Sequence, residues 1–553
     1  MINKVGGPIL LYSGKYINRT DRNRVEKLLS KIGNIYKVKE SEIDAYTHLS
    51  SCSPAIVAEF LRLYVNVLMK EKKINRQKAL KILIEMLEIL ALLLKTDGFK
   101  IIPQVCTKGG ITEQGIRIMD NYQGTFFKDL THSLLKRMEE VRKNMETKSN
   151  HLYIGKFDAV ELAKKFGTPL YVYHGEKIEE NFKKINLAIP YEPKQIHYAI
   201  MCNDRPPILK ILLDCGAYIQ ANSLKEYKLA RKVGFSNERI SVTTTNMSTK
   251  DLKEFAKLGA MINFDSIEEI IRYGEIVSEC KSKNRKIGIR VFVYQQAMEQ
   301  HATNAPYLPK ARVGIKQEKF SQLKEIAKKF DLKIVGVHGY LASNMLDLGP
   351  FLKLNRFLLD CAKQFPDIEY INFGAGFGIA LKPDEEDFDW EAYGENILAL
   401  MQEAEKFFGR KINFKIEPGR SLVGDAGILL TEVTNIKNMD FWKEVGVDCG
   451  FGVFARPYIY KWNEGGYHPI ISANKFGQEA NEIYTICGNS VLQSDYLAED
   501  RKLPSLEVGD FLAILKTGAY GATMQSSFPG MRRAGEILVY RDKIKVIQKT
   551  EKI

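Results

Sequence analysis

The chemistry in this chain is concentrated in a few short clusters of acid, arginine, tyrosine, histidine and glycine. Glu417-Pro418-Gly419-Arg420 sets a carboxylate three residues from a guanidinium. Read alone, that pair is as well a buried ion pair as a ligand site. Gly374-Ala375-Gly376-Phe377-Gly378 is small enough for backbone N–H groups to close around an anion, and turns use the same residues. Arg456-Pro457-Tyr458-Ile459-Tyr460 can offer a cation and a hydroxyl to a carboxylate, or can be a surface arginine in a turn. His338, Tyr340 and Cys202 are candidate acids or bases, with an inert buried thiol as the other reading of Cys202. In Gln195–Asn203, the run QIHYAIMCN, Met201 supplies a thioether that cannot form a Schiff base.

Positioning these residues requires a barrel. After a polar joint at about 146–151, eight β-prone runs can be picked out: Ile196–Ile200, Tyr218–Ala221, Ile240–Val242, Met261–Phe264, Ile287–Val293, Ile334–Val337, Ile368–Phe373 and Lys411–Ile416. Amphipathic segments such as Ser223–Val233 and Phe320–Phe330 lie between them, so the expected fold class is α/β with a (β/α)8 barrel. The Gly374 run and Glu417 then fall after the seventh and eighth strands, where such barrels often hold phosphate. Residues 421–553 are rich in short strands and glycine turns and read as a C-terminal β-domain. Residues 1–146 form a helical block. Ser53-Pro54 pairs an N-cap serine with proline at the first helical position. A second helix over about 75–94 is apolar on nearly every side, which predicts deep burial, often against another subunit.

Residues 152–553 resemble the fold-type III pyridoxal-phosphate (PLP) decarboxylases, the group of diaminopimelate and ornithine decarboxylases. The matching pieces are Tyr198, Ala199 and Asn203 of the first strand, the Glu417–Arg420 run, Gly518-Ala519-Tyr520-Gly521-Ala522-Thr523-Met524, and Ser343 after the sixth strand. The resemblance implies a barrel over 176–420 and a β-domain joined by a strand from 152–175. It implies that Glu417 pairs with the pyridine nitrogen, that Arg420, Tyr520, Ser343, Gly374, Gly376 and Gly378 hold phosphate, and that Arg456 and Tyr460 meet a substrate carboxylate. The helical block resembles the C-terminal dimerisation domain of pyrroline-5-carboxylate reductase, on Thr47–Ala55 and Lys108-Gly109-Gly110-Ile111-Thr112. No G-x-G-x-x-G follows a strand at its start, so the dinucleotide domain of that reductase is missing and assembly is the expected role.

The reacting side departs from the family. Met201 stands at the Schiff-base lysine and Tyr340 at the histidine that stacks on the pyridine ring. Gln220 stands at an aspartate. In the loop that the family extends to the partner subunit, Val491 and Leu492 of Gly488–Asp495 replace a cysteine and an acid. The expectation is a protein that binds PLP, noncovalently, or another phosphorylated ligand or amino-acid adduct, with ordinary decarboxylation impaired. Two alternatives are a rebuilt pocket acting on an amino acid or cyclic imine, and an oligomeric scaffold or regulatory pseudoenzyme.

Composition narrows the partners. The net charge is +14, but lysines are spread along most helical segments and interleaved with acids, so no nucleic-acid footprint is expected. The longest apolar run, Ile89–Leu94, is far too short to span a bilayer, and no signal sequence is legible, so the expectation is a cytoplasmic homodimer or larger homo-oligomer with no membrane partner. Eight scattered cysteines without C-x-x-C spacing predict reduced thiols and no metal site.

Overall fold

The computed structural model describes residues 8–11, 34–38, 46, 57–59, 61–62, 65, 76–97, 150–280, 284–293, 312–460 and 466–551. The chain divides into two units, Met1–Lys148 and Ser149–Ile553.

In the first unit, Pro8–Leu11 pairs in parallel with Asn34–Lys37, a strand pair that helical periodicity does not foretell. The helix Arg76–Asp97 matches the expected second helix. Its apolar side chains are not deeply buried within one chain: Leu80, Ile82, Ile84, Ile89 and Leu92 are exposed, because a helix apolar on every side outruns what one small unit can cover. The stretches Thr47–Ala55 and Lys108–Thr112 lie outside the described residues.

In the second unit, eight parallel strands close into a barrel: Lys194–Ala199, Tyr218–Ala221, Ile240–Thr243, Met261–Phe264, Lys286–Arg290, Lys333–His338, Tyr370–Asn372 and Asn413–Ile416. The last pairs with the first, Ile416 opposite Ile196. Each outward face of valine, isoleucine and aromatic residues is covered by helices, which is why these strands read as short apolar runs. Helix starts are fixed by side-chain caps. Ser223 accepts from Glu226 N, and the Glu226 carboxylate reaches back to the N–H of Asn222, the residue before the cap, at 2.6 Å, a variant of the capping box.

The barrel interior is polar. Tyr370 Oη donates to Asn263 Oδ1 (2.5 Å), Asn263 Nδ2 donates to Thr243 Oγ1 (2.9 Å), and His197 meets Ser241 Oγ (3.1 Å) and Gln195 Oε1 (3.2 Å). The Lys415 ammonium lies 3.8 Å from the centre of the Tyr370 ring. Gly336 makes room for that ring, since a Cβ there would sit 1.9 Å from it.

A second, mainly antiparallel sheet forms the β-domain. The strand Leu170–His174 runs within it, antiparallel to Gly427–Asn438 and parallel to Gly535–Tyr540. Two ties fasten this domain to the barrel. Arg205, just before the helix Pro206–Asp214 that follows the first barrel strand, makes a two-pronged bond to the fully buried Glu536 at 2.7 and 2.7 Å, and Tyr173 Oη adds a third at 2.9 Å. Nearby, Asn203 Nδ2 donates to Gly518 O and Tyr520 N donates to Cys202 O.

Candidate active site at the barrel mouth

Strand closure brings three side chains level at the C-terminal end of the barrel. His338 lies opposite Asn372 across one strand pair and Asn372 opposite Lys415 across the next, so Glu417, two residues beyond Lys415, rises just above them. Its carboxylate accepts from Asn372 Nδ2 at 2.7 Å and meets His338 Nε2 at 3.1 Å. Burial opposes ionisation of Glu417. His338, His197 and the Asn372 bond outweigh it, and the carboxyl is held below its ordinary value. The ion-pair reading of Glu417 with Arg420 is therefore corrected, because the acid is engaged by the strands beneath it.

Above these groups opens a cavity of about 280 Å³. Among the candidate residues it is lined by Met201, His338, Tyr340, Ser343, Glu417, Arg420, Arg456, Tyr460 and Tyr520. Arg420 opens the short turn after the eighth strand, with its guanidinium 5.2 Å from the Tyr520 ring and its buried Nε and Nη1 without a partner. Arg456 lies 4.8 Å from the Tyr460 ring and 5.7 Å from that of Tyr520. Burial first, and Arg420 second, disfavour its charge. Tyr520 is held at φ 59°, a left-handed conformation that a tyrosine adopts at a cost of about 1–2 kcal/mol. The bond from its N–H to Cys202 O fastens that turn beside Met201.

Two expectations change. Gly374, Gly376 and Gly378 do not themselves line the cavity; Ala375 does. Gly374 (φ 72°) and Gly376 (φ 120°) are required by close packing, since a Cβ at either would meet Gly339 O at 1.8 Å or Ala342 O at 2.4 Å. The N–H groups of Gly374 and Gly378 are spent on Asn372 Oδ1 and Met345 O. Cys202 is the second correction. Its thiol packs against Gly419 and is not among the residues lining the cavity, and burial pushes it up to about 12, which disfavours the thiolate. Val491, which is 94% exposed, stands with Leu492 apart from this chain's own cavity, in the loop that the resemblance assigns to a partner subunit. Their loop is anchored by Asp495, which accepts from Phe451 N, Ser490 N and Tyr458 Oη.

The wall also contains residues that motif reading missed. Arg290 ends the fifth strand, half-buried, 5.6 Å from the Tyr340 ring; Asn222 and Thr243 join Gln220, already noted at the aspartate position, on the polar side. A charged residue ending a barrel strand was the available signal for Arg290. Among the described residues the cavity lining includes three guanidiniums, one carboxylate and no lysine. No metal-binding cluster occurs among the described residues, and no helix among them is long and apolar enough to cross a membrane.

A closed barrel whose mouth sets two unpaired Arg420 N–H groups across from an ionised acid defines an α/β-barrel protein with a site suited to an anionic ligand. Comparison with known proteins makes the class particular. Residues 175–424 match the pyridoxal-dependent decarboxylase, pyridoxal binding domain, and residues 40–143 match the pyrroline-5-carboxylate reductase dimerisation family. A diaminopimelate decarboxylase of Methanothermobacter thermautotrophicus is 34% identical over 411 residues, covering 72% of this chain and 93% of the relative. One from Archaeoglobus fulgidus is 31% identical, covering 71% and 92%. The crystal structure of diaminopimelate decarboxylase from Methanocaldococcus jannaschii superposes with a TM-score of 0.67 at 27% identity, over 73% of this chain and 94% of that one. The chain belongs to the pyridoxal-dependent decarboxylase family.

Proposed function

We propose that this protein holds PLP, or an adduct of PLP with an amino acid, without a covalent bond, and that decarboxylation of the kind named for its relatives is weak or absent. The observation that carries the reading is the division of the cavity wall. Arg420 offers two buried N–H groups that the fold leaves unsatisfied, beside the Tyr520 and Ser343 hydroxyls, which suits a phosphate. Glu417, kept ionised at the barrel's centre, suits a protonated ring nitrogen, and the Tyr340 ring suits a stacked heterocycle. When bound, PLP supplies an electron sink for a bond broken at an amino acid's α-carbon.

The residues themselves do the rest. Glu417 keeps the ring nitrogen charged. Arg456 and Tyr460 receive a carboxylate. Met201, 45% exposed and on the cavity wall, occupies the lysine position with a group that can neither hold the aldehyde covalently nor exchange it with substrate. Val491 carries no exchangeable proton for the partner-loop position it fills. The exposed apolar side chains of Arg76–Asp97, within the segment that matches a dimerisation family, support a homo-oligomer built in part by that unit.

Titration of the full-length protein with PLP tests this. The expected result is a reversible spectral change and a raised melting temperature, with no mass added after borohydride reduction, and little carbon dioxide released from diaminopimelate. A reduced lysine adduct, or turnover comparable with a lysine-bearing relative, refutes the noncovalent reading. Absence of any PLP binding refutes the phosphate site.

A further inference from the structure

The charge on the cavity wall is unbalanced in a way that restricts the ligand. Arg290, Arg420 and Arg456 face the cavity, and Glu417, already engaged by His338 and Asn372, is the one carboxylate among the described residues that line it. PLP's phosphate can neutralise the Arg420 end, and a carboxylate the Arg456 end. Nothing among these residues remains for a second ammonium group. Gln220 is neutral, and its amide N–H groups are committed to Ala221 O, Thr243 O and Asn222 Oδ1. Met201 adds a soft apolar surface. The Gly488–Asp495 loop brings no free acid wherever it docks: its one carboxylate, Asp495, is consumed in holding the loop's own fold, and its exposed tip is Val491 and Leu492.

We infer that the site selects an adduct carrying a phosphate and one carboxylate on an uncharged side chain, and discriminates against amino acids that bear a distal ammonium. This rests on the proposed PLP reading and narrows it to neutral, monoamino acids. Burying an ammonium beside guanidiniums without a counter-charge opposes binding both by desolvation and by like-charge repulsion.

Three stable reduced compounds test it on the unmodified full-length protein by calorimetry: phosphopyridoxyl-L-norleucine, phosphopyridoxyl-L-lysine joined through its α-nitrogen, and phosphopyridoxyl-pentylamine. The second is the first with an ammonium added on its terminal carbon; the third is the first without the carboxylate. The norleucine compound is expected to bind at least about tenfold more tightly than the lysine compound, and about 10–100-fold more tightly than the pentylamine compound. Arg456→Met should erase the second difference, and Gln220→Glu should shrink the first by supplying an acid. A lysine compound that binds as tightly as the norleucine compound overturns the inference while leaving the PLP reading intact. Failure of all three to bind overturns both.

Discussion

Replacing Arg420 with methionine should move stability and affinity in opposite directions. In the free protein the Arg420 guanidinium is buried with Nε and Nη1 unsatisfied, and its neighbour across the Tyr520 ring is another cation, Arg456. Each orphaned donor costs about 1 kcal/mol at the low end of the usual range, so relieving two returns about 2 kcal/mol. Loss of the contact with the Tyr520 ring takes back about 0.5–1 kcal/mol. Arg420→Met should therefore leave the free protein about 1 kcal/mol more stable, read as a higher midpoint in urea. The same change removes charge-assisted bonds to phosphate worth about 1.5–3 kcal/mol, a loss of about 10–100-fold in PLP affinity. Equilibrium dialysis measures the second quantity. A variant that unfolds more easily and still binds PLP normally would mean that Arg420 is a packing residue and that the phosphate site lies elsewhere.

Other perturbations probe separate parts of the molecule. Met201→Lys should create a borohydride-reducible PLP adduct at residue 201, located by peptide mass spectrometry; its absence would show that the lysine position does not face the aldehyde. Arg205→Met should destabilise the fold by about 3–5 kcal/mol, because it strands the buried Glu536 carboxylate. Adding Glu536→Gln should recover part of that loss in a double-mutant cycle of urea midpoints, and strict additivity would refute the coupling. Lys415 gives a pH signature. Burial lowers its pKa from the ordinary 10.5 to about 8, so between those values the unfolded chain binds more protons than the folded one. Stability supplied through this group therefore rises with pH across that window, by at most about 3 kcal/mol. Lys415→Met should abolish this rise when melting is compared from pH 8 upward, and an unchanged slope would contradict the burial of a charged ammonium.

The strands were legible because a parallel barrel covers both faces, so each strand shows as a short run of β-prone residues ending in a functional one. Glu417 and Arg420 could be placed at the barrel mouth for that reason, and Ser343 and Tyr520 were joined to them by the family resemblance. The bond of Glu417 to His338 and Asn372 could not be read, since it depends on the register of three strands and on closure of the eighth against the first. Glycine has two reasons to occupy positions 374 and 376, anion approach and loop packing, and only the coordinates distinguish them. Cys202 is adjacent to Met201 in sequence, but the turn after the first strand sends one side chain into the cavity and the other under Gly419. Lys415 was simply one of many lysines until the interior of the barrel was seen to be polar.

That difference in legibility follows a mechanical division within the site. Two of the groups suited to holding a ligand are locked by bonds that also hold the fold: Glu417 through its N–H to Gly374 O and its carboxylate to two strands, Tyr520 through its N–H to Cys202 O. Replacing Glu417 strands the His338 and Asn372 groups that its carboxylate engages, so that acid is costly to lose whatever chemistry the site performs. The reactive positions are of the other kind. Met201 is 45% exposed and Val491 is 94% exposed, and truncating or exchanging such side chains costs the fold little. A barrel of this construction can therefore part with the groups that react while retaining those that bind. A lysine placed at residue 201 should accordingly be tolerated without loss of stability.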